Sequence, residues 1–249
     1  MTKGGNAPIN TIRKTLAVAA AAGLILGVVA QAPAYEGGEV KDGGTISGSI
    51  KFAGAPPARK EIQVTKDKEV CGKDKHLSWD LIVGPNKGIE NTVVSLTDVK
   101  KGKKWAIAKT TLDQNGCVYK PHVLVVPAGA TVDILNSDGI LHNIHTYSTA
   151  NPAFNKAQPK FKKVLNADFK KAETIKVTCD AHGWMLGWIV VSDHPYVAVT
   201  DEKGEFTLKD VPPGQYKLEV WHETLGKSVK EVTVKPKEET KVQVELAKK

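Results

Sequence analysis

Cys179, His182 and Met185 fall three residues apart in the run Cys179-Asp180-Ala181-His182-Gly183-Trp184-Met185, which puts a thiol, an imidazole and a thioether on one tight loop. A second imidazole has to come from elsewhere. His142 offers it at a strand end, in Asn136-Ser137-Asp138-Gly139-Ile140-Leu141-His142-Asn143. Two imidazoles and a thiolate in a trigonal plane, with a weak axial thioether, are the donors of copper sites that pass electrons. Sulfur suits the lower oxidation state and imidazole suits both, so one donor set holds the ion in one geometry while it cycles. The expected ligands of a single copper ion are therefore His142, Cys179, His182 and Met185.

Other readings of these residues stay open. Cys-x2-His alone can be half of a zinc site, which His142 and His145 could complete. That leaves Met185 and the strand after it unexplained. His145 follows His142 by three residues, so on a regular strand it faces the other side. It reads as a core or surface histidine, as a support behind the ligands, or as a ligand brought round by a bulge. His122 reads as structural, and Trp79, Trp105 and Trp221 as core.

Lys3, Arg13 and Lys14 precede an uncharged apolar run over residues 16–30, followed by Ala32-Pro33-Ala34. A basic start, a short apolar core and a small-x-small site make an export signal, cleaved near Ala34. A periplasmic or otherwise exported chain is expected, touching a membrane only through an uncleaved signal. Removing that segment lowers the formal charge from +8 to about +5. No basic stripe with interleaved aromatics is present, so a nucleic-acid partner is not expected. Six lysines (156, 160, 162, 163, 170 and 171) do crowd one stretch with only Asp168 to offset them. They are either a solvated loop or, through Lys160, Lys162 and Lys163, a docking face for an acidic partner.

Export also bears on the three cysteines, because exported thiols tend to pair. A Cys71–Cys117 disulfide that leaves Cys179 free for chemistry is the economical arrangement. The alternative bonds Cys179 and leaves a spare thiol elsewhere.

The elements that must position these groups read as strands. Ile46, Gly48, Ile50 and Phe52 alternate with polar residues, as do Phe206/Leu208, Tyr216/Leu218/Val220, Val232/Val234 and Val242/Val244/Leu246. Turn signals such as Pro127-Ala128-Gly129 and Pro212-Pro213-Gly214 punctuate them, while residues 66–75 read as a lysine-rich loop. Many short strands with regular turns predict an all-β chain of sandwiches.

Residues 119–192 resemble the cupredoxins. Tyr119-Lys120-Pro121, Val125, Gly129, Thr131-Val132 and Asn136 look like the second and third strands of plastocyanin-like proteins. His142-Asn143 matches the first ligand and the Asn after it. Cys179, His182 and Met185 match the short Cys-x2-His-x2-Met loop seen in amicyanin, with Ala181 where Pro is usual. Leu186-Gly187-Trp188-Ile189-Val190-Val191 resembles the closing strand. The resemblance implies a Greek-key sandwich with one type 1 copper. It also implies that Asn143 hydrogen-bonds toward the Cys179 sulfur, and that Gly183, Trp184 and the exposed edge of His182 form an apolar exit for electrons. A second resemblance, carried by residues 200–206, Val211-Pro212-Pro213-Gly214-Gln215-Tyr216-Lys217-Leu218 and residues 44–50, is to the carboxypeptidase regulatory-like (transthyretin-like) sandwich. The expected organisation is a signal over 1–34, a cupredoxin domain over 106–192, and a second β-sandwich built from 35–105 and 193–249.

An electron carrier serving a c-type cytochrome or an exported dehydrogenase follows. Metal delivery sites tend to be Met- or His-rich and open, whereas the chain has two methionines, one of them the initiator. Copper enzymes need a further site with several histidines; His76, His194 and His222 carry no partner signal, and His122 and His145 alone are too few without subunit sharing. An enzyme is not expected.

Overall fold

The structure, a computed structural model, describes residues 1–5, 35–106 and 110–248. The signal expected over residues 1–34, with its cleavage near Ala34, lies outside the described residues apart from the first five. Among the described residues no helix is long and apolar enough to cross a membrane. Helix there is limited to one turn at Lys68–Cys71 and a 3-10 turn at Pro85–Lys87. The expected class, all-β with two sandwiches, is the one found.

The first sandwich carries the candidate site. Its five-stranded sheet runs Asn155–Gln158, His142–Tyr147, Glu173–Thr178, Leu186–Ser192 and Val123–Pro127. Its four-stranded sheet runs Val164–Phe169, Ala130–Asn136, Thr110–Gln114 and Tyr119–Lys120. Most neighbours are antiparallel, but Val123–Pro127 lies parallel to Leu186–Ser192 and Thr110–Gln114 parallel to Ala130–Asn136. Such pairs need crossovers, which is how a Greek key closes a sandwich. Period-two alternation turns Leu112, Ile134, Ile144, Phe169, Ile175 and Ile189 into one core. Each fully buried side chain of this size contributes about 1.5–3 kcal/mol.

The second sandwich comes from both flanks of the first. Val197–Val199, Val93–Thr97, Gly214–His222 and Gly226–Val234 make one sheet, and Glu205–Val211, Gly44–Phe52 and Glu239–Leu246 the other. Gly48 marks a close approach in the second of these. A Cβ there would sit 1.9 Å from the Val242 carbonyl oxygen, so only glycine fits beside the parallel strand Glu239–Leu246.

Both sandwiches belong to one compact unit over residues 33–249. Val93, Val123 and Val190 bury together between them, with Trp188 and Trp221 packed alongside. Glu223 bonds both the His122 ring and the Trp188 indole N–H, the latter at 2.9 Å. Trp79 stacks on His122 and Trp221 meets Trp188 edge-on with centroids 4.9 Å apart. The three tryptophans expected in the core are only half-buried, and Trp79 and Trp221 are spent on this junction instead. A second correction concerns residues 66–75. They hold the helical turn Lys68–Cys71, and Val70 packs against the core of the first sandwich.

Candidate metal centre

The loop 179–185 joins two antiparallel neighbours, since Thr178 pairs with Leu186. Its ends are tied by Cys179 N–H to the Met185 carbonyl at 3.4 Å and Met185 N–H to the His182 carbonyl at 2.9 Å. So short a closed loop turns Cys179, His182 and Met185 inward together. All three are buried, with exposures of 1%, 0% and 1%. His142 opens the strand His142–Tyr147, whose far part pairs with Glu173–Thr178, and this register carries it to the same end of the sandwich.

Three donor atoms converge there. The Nδ1 atoms of His142 and His182 lie 3.0 Å apart, and the Cys179 Sγ is 3.9 Å from the first and 3.8 Å from the second. A triangle with those sides is the size made by donors about 2.0–2.3 Å from a common centre. These side chains therefore fit a metal ion, and the soft thiolate with two imidazoles favours copper or zinc over a hard ion. Cys117, Asp138 and His142 also cluster, but Cys117 is disulfide-bonded and offers no thiolate.

The electrostatics of the group suit a ligand set. Burial raises the Cys179 pKa, but His142 and the N–H groups of Asn143 and His182 outweigh it and hold the thiol below its ordinary range. Burial likewise opposes the charged form of His142, yet Asp138 and Cys179 overcome it and lift its pKa to about 9. His182 goes the other way: burial lowers it, Asp67 resists, and neighbouring His142 lowers it further. Two imidazoles whose nitrogens are 3.0 Å apart cannot both be cationic, which is why they separate.

Each imidazole is oriented from behind by a carboxylate. His142 Nε2 lies 2.8 Å from Asp138 Oδ2, and Asp138 also receives Gly116 N–H at 2.5 Å and Cys117 N–H at 2.9 Å. Gly116 and Cys117 both have positive φ, 71° and 55°, and this left-handed pair aims its amides at the carboxylate. His182 Nε2 lies 2.7 Å from Asp67 Oδ2. Asp67 sits just before the turn Lys68–Cys71, and its carbonyl accepts Val70 N–H and Cys71 N–H. The Cys71–Cys117 disulfide, S–S 2.00 Å, ties that turn to the loop holding Asp138. Cys179 is the one free cysteine among the described residues. Such partners of metal-binding imidazoles fix ring orientation and raise basicity.

Sequence reasoning missed both aspartates. Asp138 four residues before His142 was a readable signal. Asp67, 115 residues from His182, left none.

The other expected residues fall as follows. Asn143 N–H points to Cys179 Sγ at 3.4 Å, and its Oδ1 accepts the amides of Asp180 at 2.7 Å and Ala181 at 3.1 Å. One side chain thereby pins the loop that Ala181 leaves without a proline. His145 turns away from the triad, lies 3.1 Å from Asp180 Oδ1 and stacks on Tyr147, so a zinc set including it is not assembled. The apolar exit needs correcting. Gly183 is exposed, but Trp184 is half-buried, donating to the Cys117 carbonyl at 3.2 Å, and His182 has no exposed edge at all. Asp67 and the disulfide-held turn cover it. Lys160, Lys162 and Lys163 are exposed.

Comparison with known proteins gives similarity on both counts. Residues 189–247 match the carboxypeptidase regulatory-like domain family. Among solved structures, a purple cupredoxin from Nitrosopumilus maritimus aligns at 23% identity, covering 34% of this chain and 100% of that one, with a TM-score of 0.30. A reduced Cu(I) form of an amicyanin variant aligns at 25% identity over 36% of this chain and 87% of its own, TM-score 0.31. A copper-containing nitrite reductase from Thermus scotoductus aligns at 24% identity over 36% of this chain, TM-score 0.30, and only 24% of that enzyme is spanned. No curated protein sequence matches. The chain is thus similar to cupredoxins in one part and to carboxypeptidase regulatory-like domains in another.

Proposed function

We propose that the chain is an exported carrier of single electrons, built around one type 1 copper ion. The observation that carries this reading is the buried triangle of His142 Nδ1, His182 Nδ1 and Cys179 Sγ. Bound copper would supply one-electron redox chemistry; the chain supplies everything that makes it fast. His142, His182 and Cys179 would hold the ion, and Met185, buried in the same core, would complete the donor set with its thioether. Asp67 and Asp138 lock the rings, and Asn143 locks the thiolate, so the donors do not rearrange between oxidation states. The surrounding apolar core excludes water and keeps reorganisation small.

Delivery or storage of copper fits less well, because every donor is buried and an ion could not be handed over without opening the loop. No catalytic role is proposed. The partner is a redox protein such as a c-type cytochrome or an exported dehydrogenase, and the second sandwich serves as a binding or spacer module.

Copper loading tests the reading. The mature protein, with an N-terminus near Tyr35, should bind one Cu(II) and show intense visible absorption from thiolate-to-copper charge transfer. Cys179→Ser should abolish the colour, and Met185→Leu should keep copper while raising the potential. A protein that stays colourless and copper-free after loading sinks it.

A further inference from the structure

Three of the large apolar side chains most open to solvent lie at the metal end of the first sandwich: Leu141 at 50%, Phe161 at 81% and Val164 at 45% exposure. One residue staples their loops together. Asn136 donates Nδ2 to the carbonyls of Ile140 at 2.8 Å and Gln158 at 2.9 Å, and its backbone N–H to the Lys163 carbonyl at 3.0 Å. Gln158 in turn pairs with His142, so the loops 137–141 and 159–163 flank that ligand. Lys162 N–H bonds the Pro159 carbonyl at 2.8 Å, a turn that sets Lys160 and Phe161 at its two corners. A phenyl ring held out at a turn corner forgoes about 1.5–3 kcal/mol of burial. An apolar group displayed in this way, inside a polar rim, marks a contact surface. Here the rim is Lys160, Lys162 and Lys163, all exposed.

Neither ligand ring reaches solvent: His142 is fully buried behind Asp138, whose side chain is itself only 7% exposed. His182 is fully buried under Asp67, and the disulfide holding that cover is itself buried, Cys71 at 1% and Cys117 at 0% exposure.

We propose that an acidic electron-transfer protein docks on the Leu141–Phe161–Val164 surface, gripped by Lys160, Lys162 and Lys163, and that electrons cross on the His142 side of the site. This rests on the copper-carrier reading above. One electron passes between the redox centres of the two proteins; no bond forms or breaks and no proton moves. The apolar centre supplies the close contact, and the lysines steer and orient an acidic face.

The test is stopped-flow electron transfer from the copper-loaded protein to an acidic and a basic c-type cytochrome at several salt concentrations. The acidic probe should react at least tenfold faster at low salt. Phe161→Ser should slow it three- to tenfold at every salt concentration. Reversing Lys160, Lys162 and Lys163 to Glu should slow it tenfold or more at low salt and abolish the fall in rate with added salt. A control reversing Lys203, Lys209 and Lys248, all on the second sandwich or its C-terminal tail, makes the same change in net charge and should stay within twofold of the parent. Absorption and potential should be alike in all four proteins. A coloured parent whose rate ignores Phe161 and the rim, or a control as slow as the rim variant, overturns the docking proposal alone. A parent that takes up no copper, or transfers to neither cytochrome, overturns the carrier reading and this proposal with it.

Discussion

Asp67→Asn removes one negative charge from behind His182 with almost no change of shape. In the parent, Oδ2 receives the ring N–H at 2.7 Å, and His182 is wholly buried, so no water can take over the role. A hydrogen bond to a charged group is worth about 1.5–3 kcal/mol. Loss of a partner behind a metal-bound imidazole costs about 10–100-fold in metal affinity, or about 1.4–2.7 kcal/mol. The two routes agree, and since the asparagine Oδ1 still accepts the bond, the lower half of the range applies: about tenfold. Competitive titration of copper against a chelator measures it directly. The potential should rise, because less negative charge near the site disfavours the higher oxidation state. Asp138→Asn should cost more, since its carboxylate also holds Gly116 N–H and Cys117 N–H, and one amide NH2 would then face a donor. Copper affinity within twofold of the parent for Asp67→Asn would refute the argument that the cover orients the ligand.

The remaining predictions concern stability. Replacing Cys71 and Cys117 together by Ser opens a cross-link of 46 residues, and chain entropy then predicts a loss of about 4 kcal/mol in urea unfolding; a loss under 1 kcal/mol would contradict it. Glu173 accepts bonds from Ser148, Thr149, Ala150 and Asn151, and these overcome the burial that would raise its pKa and hold its carboxyl well below the ordinary range. Its contribution is therefore present above about pH 4.5 and is lost as pH falls toward the native value; Glu173→Gln should be less stable at pH 7 by about 1–3 kcal/mol and less acid-sensitive. His222 is buried, and burial, with His122 adding to it against Glu223 and Asp80, lowers its pKa to about 4. The unfolded chain takes up a proton near pH 6.5, so stability should decline from there down to about 4, and His222→Gln should flatten that part of the pH profile.

Much of the site was legible because its geometry is local. Seven residues between two antiparallel strands have little freedom, so the spacing of Cys179 and His182 already brings their donor atoms together. Period-two alternation assigned the strands for a similar reason, since facing in or out is decided residue by residue. The Cys71–Cys117 pair followed from counting, once one thiol was reserved for chemistry. What the sequence could not disclose depends on separations that no pattern spans. Asp67 reaches His182 across 115 residues only because one helical turn, Val70 and a disulfide seat it on the first sandwich. That contact buries the ligand edge expected to be open. The apolar surface lies elsewhere, on Phe161, whose exposure is decided by a turn and by the two loops gathered on Asn136. Donor types and spacing are properties of the chain; which face of the site meets solvent is a property of how distant segments pack.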